Sequence, residues 1–110
     1  MNQLASVPTK LLNNAGAVTN TMQNMTLTAY LVEQINLMKK GSINNHCISY
    51  DRLYEVAGLT DKERKDYNKT RRIRENVGKI LMQKAKQGLF KNFEERNGQK
   101  NEVLGVKIFF

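Results

Sequence analysis

Apolar residues recur every three or four positions in two stretches of the chain and every second position in a third. Leu27, Tyr30, Leu31, Ile35 and Met38 fall on one face of a helix over 26–40. Thr26 is placed to cap its start. Lys39, Lys40 and Gly41 suit its end, with cations at the negative end of the dipole and glycine just past it. Over 69–87 a second helix is predicted. At 100° per residue Ile73, Val77, Ile80 and Lys84 align, with Leu81 beside them, and Asn68, Arg71, Arg72, Glu75, Lys79, Met82 and Lys86 take the opposite face. Gly78 inside it costs about 1 kcal/mol relative to alanine, and Gly88 ends it. The third stretch alternates as a strand does: Leu104, Val106, Ile108 and Phe110 against Val103, Gly105, Lys107 and Phe109. Asn97-Gly98 upstream is a strong two-residue turn signal, so 89–110 reads as a β-hairpin.

The remaining elements follow from caps and breakers. Residues 42–48 read as a turn leading into a short strand near 46–49. Ser49 caps a helix over YDRLYEVAGL, with Asp51 in its first turn, Leu53, Val56 and Ala57 inward, and Gly58 as the stop. Thr60 and Glu63 match a capping box and predict a helix start after Leu59. A straight run into the basic helix and a break near Tyr67-Asn68 both fit. Residues 1–24, rich in Asn, Thr, Gln and Ala, read as an arm or a short partner-dependent helix, leaving 25–110 as one folded domain of the α+β class.

Charge changes this picture. The 110 residues hold 18 Lys and Arg against 10 Asp and Glu, a net +8, with a pI near 9.8. Residues 67–86 carry Lys69, Arg71, Arg72, Arg74, Lys79, Lys84 and Lys86 against Glu75 alone. Like charges packed so closely repel one another, and phosphates would relieve that repulsion, so a polyanionic partner is expected. No apolar run approaches the roughly 18 residues of a membrane span. The first 18 residues lack a compact apolar segment behind basic ones, so no secretory signal is expected and the location expected is the cytoplasm, with the nucleoid. One cysteine forms no internal disulfide, and His46 with Cys47 supplies neither a metal site nor a dyad, since adjacent side chains diverge. No phosphate-binding loop and no carboxylate pair is present. Neither catalysis nor a cofactor nor a small-molecule substrate is expected.

Helix, short strand, helix, basic helix, hairpin: this order resembles the winged helix-turn-helix domain over residues 26–110. ISYDRLYEVAGL stands as the strand and supporting helix, YNKTRRIRENVGKILMQKAKQGLF as the recognition helix, and KNFEERNGQKNEVLGVKIFF as the wing. The closing Gly-Val-Lys-Ile-Phe-Phe is similar to winged-helix domains of plasmid replication initiators, which usually carry two such domains where this chain has room for one. The segment from Gly58 to Lys69 exceeds the usual tight turn. The resemblance implies three or four helices, a C-terminal two-stranded wing and double-stranded DNA binding. Its implied role is that of a small transcriptional regulator or a plasmid or phage replication or partition factor.

The resemblance also implies which residues do the work. Its third helix enters the major groove, where base edges are distinguishable. Asn68, Arg71, Arg72 and Glu75 become candidate base readers. Lys69, Thr70, Arg74 and Lys79 become candidate phosphate contacts, with Arg74 at the edge of the core face. Arg96 and Lys100 would meet the backbone or minor groove from the wing, and Lys84 and Lys86 would contribute general field. A homodimer is expected from size, with the arm and helix 26–40 as the spare apolar surface. RNA binding and a protein-interaction adaptor stand as alternatives. Specific RNA modules usually present aromatic stacking faces, whereas the alternation assigns most of Phe90, Phe93, Phe109 and Phe110 to the core.

Overall fold

A computed structural model describes residues 18, 21–41, 46–97 and 103–110. These form an α+β unit of four helices and a three-stranded antiparallel sheet. Helix α1 spans Met22–Lys39, strand β1 Cys47–Ser49, helix α2 Tyr50–Val56, helix α3 Asp61–Arg64 and helix α4 Tyr67–Lys86, followed by strands β2 Asn92–Asn97 and β3 Val103–Phe109.

Local chemistry sets each boundary. α1 starts a turn earlier than its apolar stripe, because Thr21 caps it by accepting from the Asn24 N–H at 3.1 Å. Thr26, the expected cap, lies inside the helix and donates its hydroxyl to the Met22 carbonyl at 2.8 Å. Ser49 caps α2 as expected, accepting from the Asp51 N–H. Both halves of the capping box form at α3: Thr60 accepts from the Glu63 N–H, and Glu63 accepts from the Thr60 N–H. The chain then breaks at Lys65 and Asp66. Asp66 is extended, and its carboxylate takes the N–H groups of Asn68 and Lys69, starting α4 as a separate helix.

The core lies where α1, α2 and α4 meet one face of the sheet. Leu27, Leu31 and Ile35 of α1, Leu53 of α2 and Ile73, Val77, Ile80 and Leu81 of α4 are buried with Ile48, Val106 and Ile108. Each such side chain contributes about 1.5–3 kcal/mol on burial, so four on α4 outweigh the cost of Gly78 and fix which way that helix faces. Tyr50 and Tyr54, outside the expected stripe of α2, are buried too, while Val56 and Ala57 are only partly so.

The strand order is β1-β3-β2. Ile48 faces Val106 across the first pair, and Phe93 faces Ile108 across the second. Arg96 pairs with Gly105 but Asn97 with Val103, leaving Leu104 as an extra residue. The bulge turns Leu104 outward, to 55% exposure, in place of the inward position its alternation predicts. Gly98 of the Asn97-Gly98 turn signal lies outside the described residues. Gly105 has a structural reason: a Cβ there would collide with the Ile48 carbonyl on β1.

Gly105→Ala should therefore force β1 off β3, as overpacking does, and lower stability by about 1–3 kcal/mol in urea denaturation. Gly78→Ala, whose added carbon meets only open space, should instead be neutral or stabilising by up to about 1 kcal/mol.

Candidate nucleic-acid interface

With its apolar side locked to the core, α4 presents the rest as a ridge. Asn68, Arg71, Arg72, Glu75, Lys79, Met82 and Lys86 are all exposed. A groove runs along each flank. One, of about 390 Å³, lies between α4 and β2 and is lined by Arg71, Arg74, Glu75 and Met82 facing Tyr50, Phe93 and Glu95. The other, of about 410 Å³, lies toward α1 and α3, with Asn68, Lys69 and Arg72 facing Gln23, Leu59 and Glu63.

Asp66 decides what the start of α4 can bind. Its carboxylate already holds two of the helix's free N–H groups, so this terminus is not an open anion cradle. Lys69 lies beside it and donates to Glu63 at 3.2 Å. That carboxyl is held below its ordinary pKa, first by the Thr60 N–H and then by Lys69. Both partners are substantially exposed, so solvent screens the pair and it holds Lys69 only weakly.

The expected site residues do not all reach the ridge. Thr70 is buried at 5% exposure, and its hydroxyl donates to the Asp66 and Tyr67 carbonyls; it faces the core and leaves the set of phosphate contacts. Arg74 is half-buried on the flank. Its guanidinium donates to the Tyr54 hydroxyl at 2.9 Å and sits 5.7 Å from the centre of the Tyr67 ring. Tyr54 stacks with Tyr50, whose hydroxyl donates to Glu95 of β2 at 3.3 Å. Burial, then the Glu95 charge, pushes the Tyr50 hydroxyl well above the usual phenol pKa, so it stays a donor. This chain of contacts connects the sheet to α4 and orients Arg74. Tyr54 and Tyr67 were not legible as site residues, because their part depends on a tertiary contact. Arg96 is exposed on β2, whereas Lys100 lies outside the described residues.

Lys84 departs furthest from expectation. It is buried on the core face where the helical period puts it and makes no surface contact. Its ammonium donates to the Gln83 side-chain oxygen at 3.1 Å, and burial lowers its pKa. Cys47 is exposed, and the His46 ring meets Phe110 edge-on at 5.3 Å. Among the described residues no cluster of His, Cys, Asp or Glu could hold a metal ion. No described helix is long and apolar enough to cross a membrane.

No family model matches the chain, and neither a curated protein nor a solved structure matches it significantly.

A lysine whose pKa falls on folding binds fewer protons folded than unfolded between its two pKa values. Stability should then rise with pH as the medium approaches lysine's ordinary 10.5. Lys84→Met keeps the stem and removes the ammonium. Urea unfolding at neutral and alkaline pH should show it more stable than the parent at pH 7, with the alkaline rise flattened.

Proposed function

We propose that the chain is a winged helix-turn-helix protein that binds double-stranded DNA, with α4 entering the major groove and the β2–β3 hairpin beside it. The observation that carries this reading is the α4 ridge: Arg71, Arg72 and Lys79 all stand exposed on the side of the helix away from the core, and the opposite side of the same helix is sealed into the core. An α-helix fits the major groove of B-form DNA, and arginine is the commonest partner of guanine there. The order of elements and the strand order β1-β3-β2 support the same reading, as does the net charge of +8.

Each residue then has a role. Arg71, Arg72, Asn68 and Glu75 face the bases. Lys69, Lys79 and the pre-oriented Arg74 take phosphates along the flanks, and Arg96 touches the backbone from the wing. The exposed rings do not favour single-stranded RNA. Tyr67, 67% exposed, is engaged by Arg74, and Phe110 by His46, so no continuous stacking face is presented among the described residues.

Binding to a random duplex should weaken steeply with salt, each neutralised phosphate adding about 0.9 to the log–log slope. Fluorescence anisotropy at several salt concentrations measures it. Replacing Arg71 and Arg72 by Ala should cost about 1–3 kcal/mol per lost base contact on a selected site. Weak, salt-indifferent duplex binding, or stronger competition by RNA than by duplex, would sink the reading.

A further inference from the structure

Glu75 is the one acid among the eight charged residues of α4, and it stands on the exposed ridge. Arg71 and Arg72 lie one turn before it and Lys79 one turn after, spacings at which ion pairs form readily. Yet none of the ion pairs among the described residues involves it. The other acids nearby are engaged: Glu63 by Lys69 and the Thr60 N–H, Glu55 by Arg52 and Arg64, and Asp66 by the start of α4.

An unpaired carboxylate on a face that meets phosphates is repelled, and sealed against DNA it needs a hydrogen-bond donor. In the major groove the only base donors are the exocyclic amines of cytosine and adenine, and an acidic side chain pairs best with cytosine N4. Resting on the duplex reading, we propose that Glu75 is a specificity-determining residue that reads a cytosine. Arg72 and Arg71 lie about 4.5 and about 6 Å away along the helix axis. Base pairs are stacked at about 3.4 Å, so the cytosine falls within about two steps of the guanine that these arginines contact. The carboxylate lowers affinity for duplex in general and restores it at sites that offer the amine in register.

The experiment is selection of bound duplexes from a random pool by the full chain, by Glu75→Ala and by Glu75→Gln, with affinities then measured on the selected site and on random duplex. Circular dichroism confirms that the variants fold. The parent should enrich a C·G pair within two positions of a guanine. Glu75→Ala should lose that preference by about ten- to a hundredfold, keep the other positions, and bind random duplex more tightly than the parent. Glu75→Gln should move the preference toward adenine, whose N6 and N7 suit an amide. If Glu75→Ala retains the parent's preference at every position, or loses all positions equally, the carboxylate reads no base and the inference fails while duplex binding stands. If the folded parent itself binds no duplex, the functional reading fails, and this inference with it.

Discussion

The burial of one side of α4 governs everything else about this molecule. Ile73, Val77, Ile80 and Leu81 leave almost no surface to solvent, and together they contribute several kcal/mol toward a single orientation of the helix about its axis. Rotating the helix to hide its arginines would expose those side chains and bury charge, which is costlier still. The cations are therefore held outward although they repel one another. The fold maintains this electrostatic tension because the hydrophobic term is larger, and it leaves a surface that an added polyanion would relax.

The distribution of acids sharpens that surface. Glu55 and Glu63 pair with cations of α2, α3 and the first turn of α4, and Asp66 is consumed as a cap. α4 thus begins beside a patch in which charge is locally balanced, and its excess lies along the ridge after the first turn. Arg74 is treated differently from its neighbours. Held by Tyr54 and seated over Tyr67, its guanidinium has lost rotamer freedom before any ligand arrives, and that lowers the entropy cost of a later contact. Arg71 and Arg72, exposed and outside the observed ion pairs, keep their rotamer freedom.

Much of this was legible in the sequence, for reasons that differ residue by residue. The two faces of α4 follow from helical periodicity, and even Lys84 lies on the apolar stripe; what its type obscured is that a long alkyl stem can follow its neighbours inward with its ammonium hydrogen-bonded. The Thr60–Glu63 capping box was readable because it is a local motif. The start of α1 was not, since Thr21 and Thr26 are equally good caps and the choice depends on Asn24, which is buried and accepts from Asn76 of α4 at 3.3 Å. The hairpin strands were readable from alternation, but their register depends on a bulge at Leu104 that no local signal announces. α1 also spends its apolar face internally, leaving Met22 and Met25 as its large exposed apolar side chains; the arm that precedes it lies largely outside the described residues.

On the duplex reading, the β2–β3 hairpin limits how DNA would lie on this surface. β2 carries Glu94 and Glu95 ahead of Arg96, all three exposed. Along β2 these side chains alternate, so a phosphate backbone lying on one face would meet Glu94 beside Arg96 and on the other Glu95, a carboxylate in either case. Glu95 is moreover tied back to Tyr50, across the groove from Arg71 and Arg74. The favourable geometry on the duplex reading keeps the base of the wing away from the backbone and lets only its distal end, where Arg96 sits, approach. Contact is then centred on α4, and the wing acts as a lateral stop: the acids on its shaft repel a backbone that slides toward β2, and the arginines of α4 attract it. On that reading, opposed charges on β2 and α4 would restrict how the helix lies in the groove, and a restricted register is what a single carboxylate such as Glu75 would need to discriminate between bases.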